Sequence, residues 1–196
     1  EIPNDATHIF VTAKVIPSSA FCGHPNIIEV VCDENVKTIE EYAFHSCRSL
    51  RRILMPGVKI IEVGAFVNCI SLTDVKCDKL EKIGDGAFTS CNSLKSINLS
   101  SAKVVERDTF NCCHAMTNAK FGSKLETIQT STFRQCFSLE RITIPLKNDM
   151  IPNDRTFRGC ESLKRVDLVE GALLHEITAA LQLEEWRNDM NEEINS

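Results

Sequence analysis

No stretch of this sequence approaches the ~18 consecutive apolar residues that a membrane-spanning helix needs. The opening EIPNDATHIF also lacks a charged segment leading into an apolar one, the pattern of a secretory leader. No membrane insertion is therefore expected, although an initial Glu leaves the export history open. Basic residues are in deficit, with 22 Lys and Arg against 27 Asp and Glu. Duplex-binding proteins neutralise phosphates with a surplus of Lys and Arg, so nucleic acid is not an expected partner. A glycine-rich phosphate loop, a GxSxG elbow and an HExxH helix are all missing, and no catalytic constellation replaces them. What is present is ordinary for a packed chain: 43% apolar residues, 25% charged and a mean hydropathy of −0.10, which excludes a disordered polyelectrolyte. At 196 residues the chain has room for one domain or one short repeat array.

Ten phenylalanines and ten cysteines stand out, and their spacing carries the fold. Phe21, Phe44, Phe66, Phe88, Phe110, Phe133 and Phe157 recur at steps of 22 to 24 residues. Each follows Ala or Thr. Three residues later stands Cys47, Cys69, Cys91, Cys113, Cys136 or Cys160, with His24 in the first unit. Six residues after the Phe comes Ile27, Leu50, Leu72, Leu94, Met116, Leu139 or Leu163. Apolar residues then alternate in the manner of a strand: Val30/Cys32, Ile53/Met55, Val75/Cys77, Ile97/Leu99, Ala119/Phe121, Ile142/Ile144 and Val166/Leu168. Ile39, Ile61, Ile83, Val105 and Ile128 lead into the next AF pair. A strand plus a helical turn cannot bury its apolar edge alone, so such units must stack into one continuous core.

The consensus L-x-x-I-x-L-P…V-x-x-I-x-x-x-AF-x-x-C-x-S-L, seen clearly in SLRRILMPGVKIIEVGAFVNCISL, resembles the BspA-type leucine-rich repeats over about residues 16 to 168. The position where the commonest leucine-rich repeats carry Asn holds Val58, Leu80 or Leu125 here. The expected architecture is a right-handed, curved α/β solenoid with one parallel sheet, made of strand, turn and helical-turn units. Residues 1–172 form the array, with a half repeat at 1–15 and seven units centred on the phenylalanines above. The approach LKNDMIPNDRTF to the seventh unit is irregular. Beyond it, apolar spacing over 173–196 predicts a capping helix.

Six cysteines occupy the AF-x-x-C position, and Cys32 and Cys77 replace aliphatic strand residues, so all eight read as small buried apolar groups. Cys22 and Cys112 have no repeat role. Cys112-Cys113-His114 and Cys22-Gly23-His24 are weak metal or nucleophile fragments, because zinc sites need four ligands at recurring spacings and thiol catalysis needs an activated thiolate in a cleft. Asn98-Leu99-Ser100 is a formal glycosylation sequon that falls within a strand. Reduced thiols and intracellular, cytoplasmic residence are expected, with no cofactor, no metal and no enzymatic activity.

The resemblance implies that residues seven, eight and ten after each Phe line the concave strand surface. Arg51, Arg52, Lys76, Lys95, Lys120, Arg141, Lys164 and Arg165 lie there against Glu29, Asp74, Glu140 and Asp167, a surplus of four positive charges in a chain of net charge −5. Those basic residues, together with Leu54, are the candidate contacts. The function expected is a protein-interaction scaffold for an acidic partner, alone or as a subunit of a larger assembly; a secreted or cell-surface adhesion module of the same family is the alternative. A solvated sheet face remains the plainer reading of the charge strip.

Overall fold

The computed structural model describes residues 2–145, 147 and 155–169. The longer strands are β1 (His8–Val11), β3 (Glu29–Cys32), β5 (Arg52–Leu54), β7 (Asp74–Lys76), β9 (Ser96–Leu99), β11 (Asn118–Phe121), β13 (Arg141–Pro145) and β14 (Arg165–Val169). Between them run two-residue strands: β2 (Val15–Ile16), β4 (Thr38–Ile39), β6 (Ile60–Ile61), β8 (Lys82–Ile83), β10 (Val104–Val105) and β12 (Thr127–Ile128). All strand pairings among the described residues are parallel, so the chain advances one unit per circuit as a solenoid.

The expected single sheet is instead three. The long strands form β1-β3-β5-β7 and β9-β11-β13-β14, and the short ones form a six-stranded sheet of their own. The apolar residues before each AF therefore do more than lead into a turn. Ile39, Ile61, Ile83, Val105 and Ile128 are buried members of this second ladder.

The expected helical turn is not helical, and the described residues contain no helix. Two residues per unit, placed two before and two after the Phe, have left-handed backbone: Ser19 and Gly23, Tyr42 and Ser46, Gly64 and Asn68, and so on to Arg155 and Gly159. A helix cannot propagate through such positions. The hydrogen bonds show what the chain does instead. Amides alternate between the turn's own carbonyls and the next unit: Cys47 N bonds Phe44 O at 3.1 Å, whereas Phe44 N bonds Ala65 O at 2.8 Å and Ser46 N bonds Val67 O at 2.7 Å. Each turn is thus stitched to its neighbour by backbone, which satisfies donors that burial would otherwise strand.

Side chains stack in step with that stitching. The seven repeat phenylalanines form one column with ring centroids 4.8 to 5.5 Å apart, from Phe21–Phe44 to Phe133–Phe157. The cysteine three residues on is more than filler. Its thiol donates to the carbonyl of the preceding unit's Phe, as in Cys47 Sγ to Phe21 O at 2.9 Å and Cys91 Sγ to Phe66 O at 3.2 Å, and the other four repeat this bond. The Phe carbonyl already accepts one amide from its own turn, so the S–H fills its second lone pair. Where His24 replaces Cys, its Nε2 lies 3.1 Å from Pro3 O and serves the same end of the column. Burial pushes the thiols of Cys47 and Cys160 up to about 12, which keeps them protonated as donors.

The inward strand pairs from Val30/Cys32 to Ile142/Ile144 are buried, as their alternation predicts. Val166 is only half-buried and Leu168 is exposed, because no further strand among the described residues covers β14. The expected capping helix over 173–196 and most of the irregular LKNDMIPNDRTF segment lie outside the described residues.

Candidate interaction face

The outward residues of the long strands form rows that run across the units. One row places His8, Glu29, Arg52 and Asp74 side by side and continues as Ser96, Asn118, Arg141 and Arg165. A second holds Phe10, Val31, Leu54 and Lys76, then Asn98, Lys120, Thr143 and Asp167. A strand offers alternate side chains to each face, so a fixed register turns equal repeat offsets into physical neighbours.

Those rows divide the candidate residues into two kinds. Arg52 lies between two carboxylates, 3.6 Å from Glu29 and 3.1 Å from Asp74, and Lys76 reaches the same Asp74 at 3.6 Å. Arg141 and Arg165 both bond Asp167, the latter at 2.8 Å. The two guanidinium groups hold the Asp167 carboxyl below the usual carboxylate range, Arg141 first. Arg51, Lys95, Lys120 and Lys164 are exposed and make no ion pair with any described residue. These four carry most of the surplus of positive charge, since Arg52 and Lys76 are matched by Glu29 and Asp74 while Arg141 and Arg165 share the single Asp167.

The middle of the face is the least compensated part. Between Asp74 and Glu140 the outward strand positions hold Lys95, Ser96, Asn98, Thr117, Asn118 and Lys120, with no carboxylate among them. Asn118 Oδ1 is buried there without a hydrogen-bond partner. Toward the C-terminal end, Glu140, Arg141, Ser162, Lys164 and Arg165 line a shallow depression of about 410 Å³. At the other end the face turns apolar. Leu54 continues the row of Phe10 and Val31, and Phe10 is 68% exposed. Of that patch the sequence reading held only Leu54, because β1 belongs to an incomplete unit without its own Phe; the signal for the rest was the shared register of Phe10, Val31 and Leu54.

The two sequence fragments do not assemble as written: His24 Nε2 lies against Pro3 O, not Cys22. Among the described residues no group of three or more His, Cys, Asp or Glu is placed to hold a metal ion. Cys113 is sequestered on the Phe88 carbonyl, while His114 stacks on Phe137 at 5.0 Å, so Cys112, Cys113 and His114 do not converge. All ten cysteines are free thiols. No helix of the described residues is long and apolar enough to cross a membrane.

Three solved structures are alike in fold. The leucine-rich repeat protein of T. pallidum superposes with a TM-score of 0.72 at 21% identity, over 93% of this chain and 84% of that one. A leucine-rich cell surface protein from Faecalibacterium prausnitzii gives 0.72 at 23% identity, over 83% of this chain and 47% of its own. A leucine-rich repeat protein from Eubacterium ventriosum gives 0.60 at 19% identity with the same two coverages. This chain therefore spans about half the length of the latter two proteins. No curated protein sequence matches it. A model of the BspA type leucine-rich repeat region matches residues 14–136 and 100–179, in six copies. With the phenylalanine column, the parallel ladders and this match in agreement, the chain belongs to the BspA-type leucine-rich repeat family.

Proposed function

We propose that the chain is a non-enzymatic interaction scaffold whose strand face receives an acidic segment of a protein partner. The observation that carries this reading is the split between paired and unpaired cations. Arg52, Lys76, Arg141 and Arg165 are engaged within the face, whereas Arg51, Lys95, Lys120 and Lys164 are left to solvent. Lys95 and Lys120 stand in a stretch of the face that holds no carboxylate. A partner's carboxylates would complete the alternation of charge that the flanking rows already have. The apolar row of Phe10, Val31 and Leu54 gives the same partner a dry contact at one end.

The test compares two double reversals of equal charge. Lys95→Glu with Lys120→Glu alters the face, and Lys79→Glu with Lys124→Glu alters two exposed lysines off it. Partners captured from the source organism and quantified by mass spectrometry should be lost with the first pair and kept with the second. Capture by the wild type should also weaken as salt rises, because exposed charges are screened over ~8 Å at physiological ionic strength. Equal capture by both variants would reduce the strip to a solvated sheet face.

A second setting for the same scaffold is the cell exterior, and the Faecalibacterium prausnitzii cell surface protein, alike in fold, favours it. The expectation of cytoplasmic residence rests on the cysteines alone. Fractionation of the source cells with an antibody to this chain decides between the two compartments.

A further inference from the structure

Eight of the ten thiols are buried, and in six of them the S–H is occupied by a Phe carbonyl. Cys112 is half-buried and donates to the amide oxygens of Gln135 at 3.0 Å and Asn111 at 3.3 Å. It also has a structural place, as the left-handed residue two after Phe110. Cys22 differs from all nine. It is exposed, and its Sγ lies 3.7 Å from Nδ1 of His45, the residue one register step along the turns. An imidazole nitrogen takes up a proton, which an amide or peptide oxygen does not do near neutral pH.

The pair is held rather than accidental. Phe21 N bonds Ala43 O at 2.8 Å and Gly23 N bonds His45 O at 2.7 Å, so the backbone on both sides of Cys22 is tied to the turn that carries His45, at the carbonyl of His45 itself and that of Ala43. The imidazole meets the ring of Tyr42 edge-on at 5.9 Å. Tyr42 in turn covers Gly64, where a Cβ would come within 2.4 Å of its ring. Beside the thiol, Gly23 leaves the approach open, since a Cβ there would meet nothing within 4 Å.

We propose that Cys22 and His45 form a thiol-exchange site on the turn side of the solenoid, at which Cys22 forms mixed disulfides with low-molecular-weight disulfides of the glutathione type. The thiol proton passes to His45 Nδ1, and the thiolate sulfur attacks one sulfur of the disulfide R–S–S–R. A bond forms between Cys22 and that sulfur while the R–S–S–R bond breaks. The expelled RS⁻ takes the proton back from the imidazolium and leaves as RSH. Cys22 is oxidised, the departing sulfur is reduced, and no other oxidant is consumed. The site modifies the scaffold without touching the strand face, so it stands or falls apart from the acidic-partner reading.

The experiment exposes native wild-type protein to glutathione disulfide at neutral pH and follows intact mass and tryptic peptides over time. One adduct should accumulate first, on the peptide that carries Cys22. Cys22→Ser should abolish that adduct with an unchanged melting temperature, and His45→Gln should slow it by about tenfold or more. A control in denaturant confirms that the remaining thiols react once unfolded. The proposal is overturned if Cys112 or a ladder cysteine is modified as fast as Cys22 in the native protein. It is equally overturned if His45→Gln reacts at the wild-type rate, which would leave an exposed thiol and no site.

Discussion

The turn side and the strand face of this solenoid are built with the same period and use it in opposite ways. On the turn side nearly every unit repeats the same physics: a stacked Phe, a thiol on the preceding Phe carbonyl, and two left-handed residues that aim alternate amides at the next unit. On the strand face the register is as strict, yet the residue at a given row changes from Glu to Arg to Asp to Ser along the array. Positions that must meet their own copies next door are constrained by stacking. Positions that meet solvent or a partner need only avoid repulsion with their neighbours. The first kind holds the fold, and the second is free to carry recognition.

The largest expected effect breaks the turn side. Phe88 sits in mid-column between Phe66 and Phe110, fully buried. Phe88→Ala should cost ~3 to 5 kcal/mol through the cavity it leaves. Asn98→Ala, on an exposed position of β9, should stay within ~0.5 kcal/mol. Urea midpoints measure both, and equal midpoints would erase the distinction between the two sides.

Next in size is the backbone of the turn. Asn68 has φ of 60°, a conformation that Asn tolerates and a β-branched residue does not. Asn68→Val should destabilise by ~1 to 2 kcal/mol, while Asn68→Gly at the same site should be close to neutral. A Val variant as stable as wild type would mean that the turn relaxes out of its left-handed form.

A smaller loss is expected from the thiol ladder. Cys91→Ala removes the second hydrogen bond to the Phe66 carbonyl and should cost about 1 kcal/mol, plus a contribution from the smaller side chain. If thermal melts show no loss, the repeated Cys–Phe bond has no part in stability.

How much of this was legible beforehand follows from the same contrast. The Phe, Cys and strand offsets announced the stacked core, because residues that pack on their own copies keep one chemistry from unit to unit. The left-handed positions were not legible, and a helical turn was expected in their place. Ser19, Tyr42, Gly64, Asp108 and Arg155 share a backbone state without sharing a side-chain type, since the neighbouring unit's carbonyls impose it. The second ladder was hidden because two-residue strands leave no alternation to detect. On the face, a surplus of four charges was visible, but its distribution was not. Glu29, Arg52 and Asp74 occupy equal offsets, and only reading along the row shows that they neutralise one another and leave Lys95 and Lys120 uncovered.

The smallest effect sharpens the comparison on the short-strand side, where charge rows also bridge units. Lys103 Nζ donates to Glu81 Oε2 at 2.7 Å and Lys59 Nζ lies 3.0 Å from Oε1, and these two ammonium groups, Lys103 first, lower the Glu81 carboxyl from 4.5 to about 2. A carboxyl whose folded value is depressed gives stability that is fully present above its unfolded value near 4.5. That stability is lost as pH falls through the window from about 4.5 to about 2, where the unfolded chain binds the proton and the folded chain does not. The group keeps 33% side-chain exposure, so solvent and salt discount its contribution well below that of the buried column. Glu81→Gln should therefore lower the melting temperature slightly at pH 7 and not at all near pH 2, with the difference shrinking at high salt. Melting curves of both proteins from pH 2 to 7 measure it. A difference that persists unchanged to pH 2 would assign the effect to packing and leave the charge row without a part in stability.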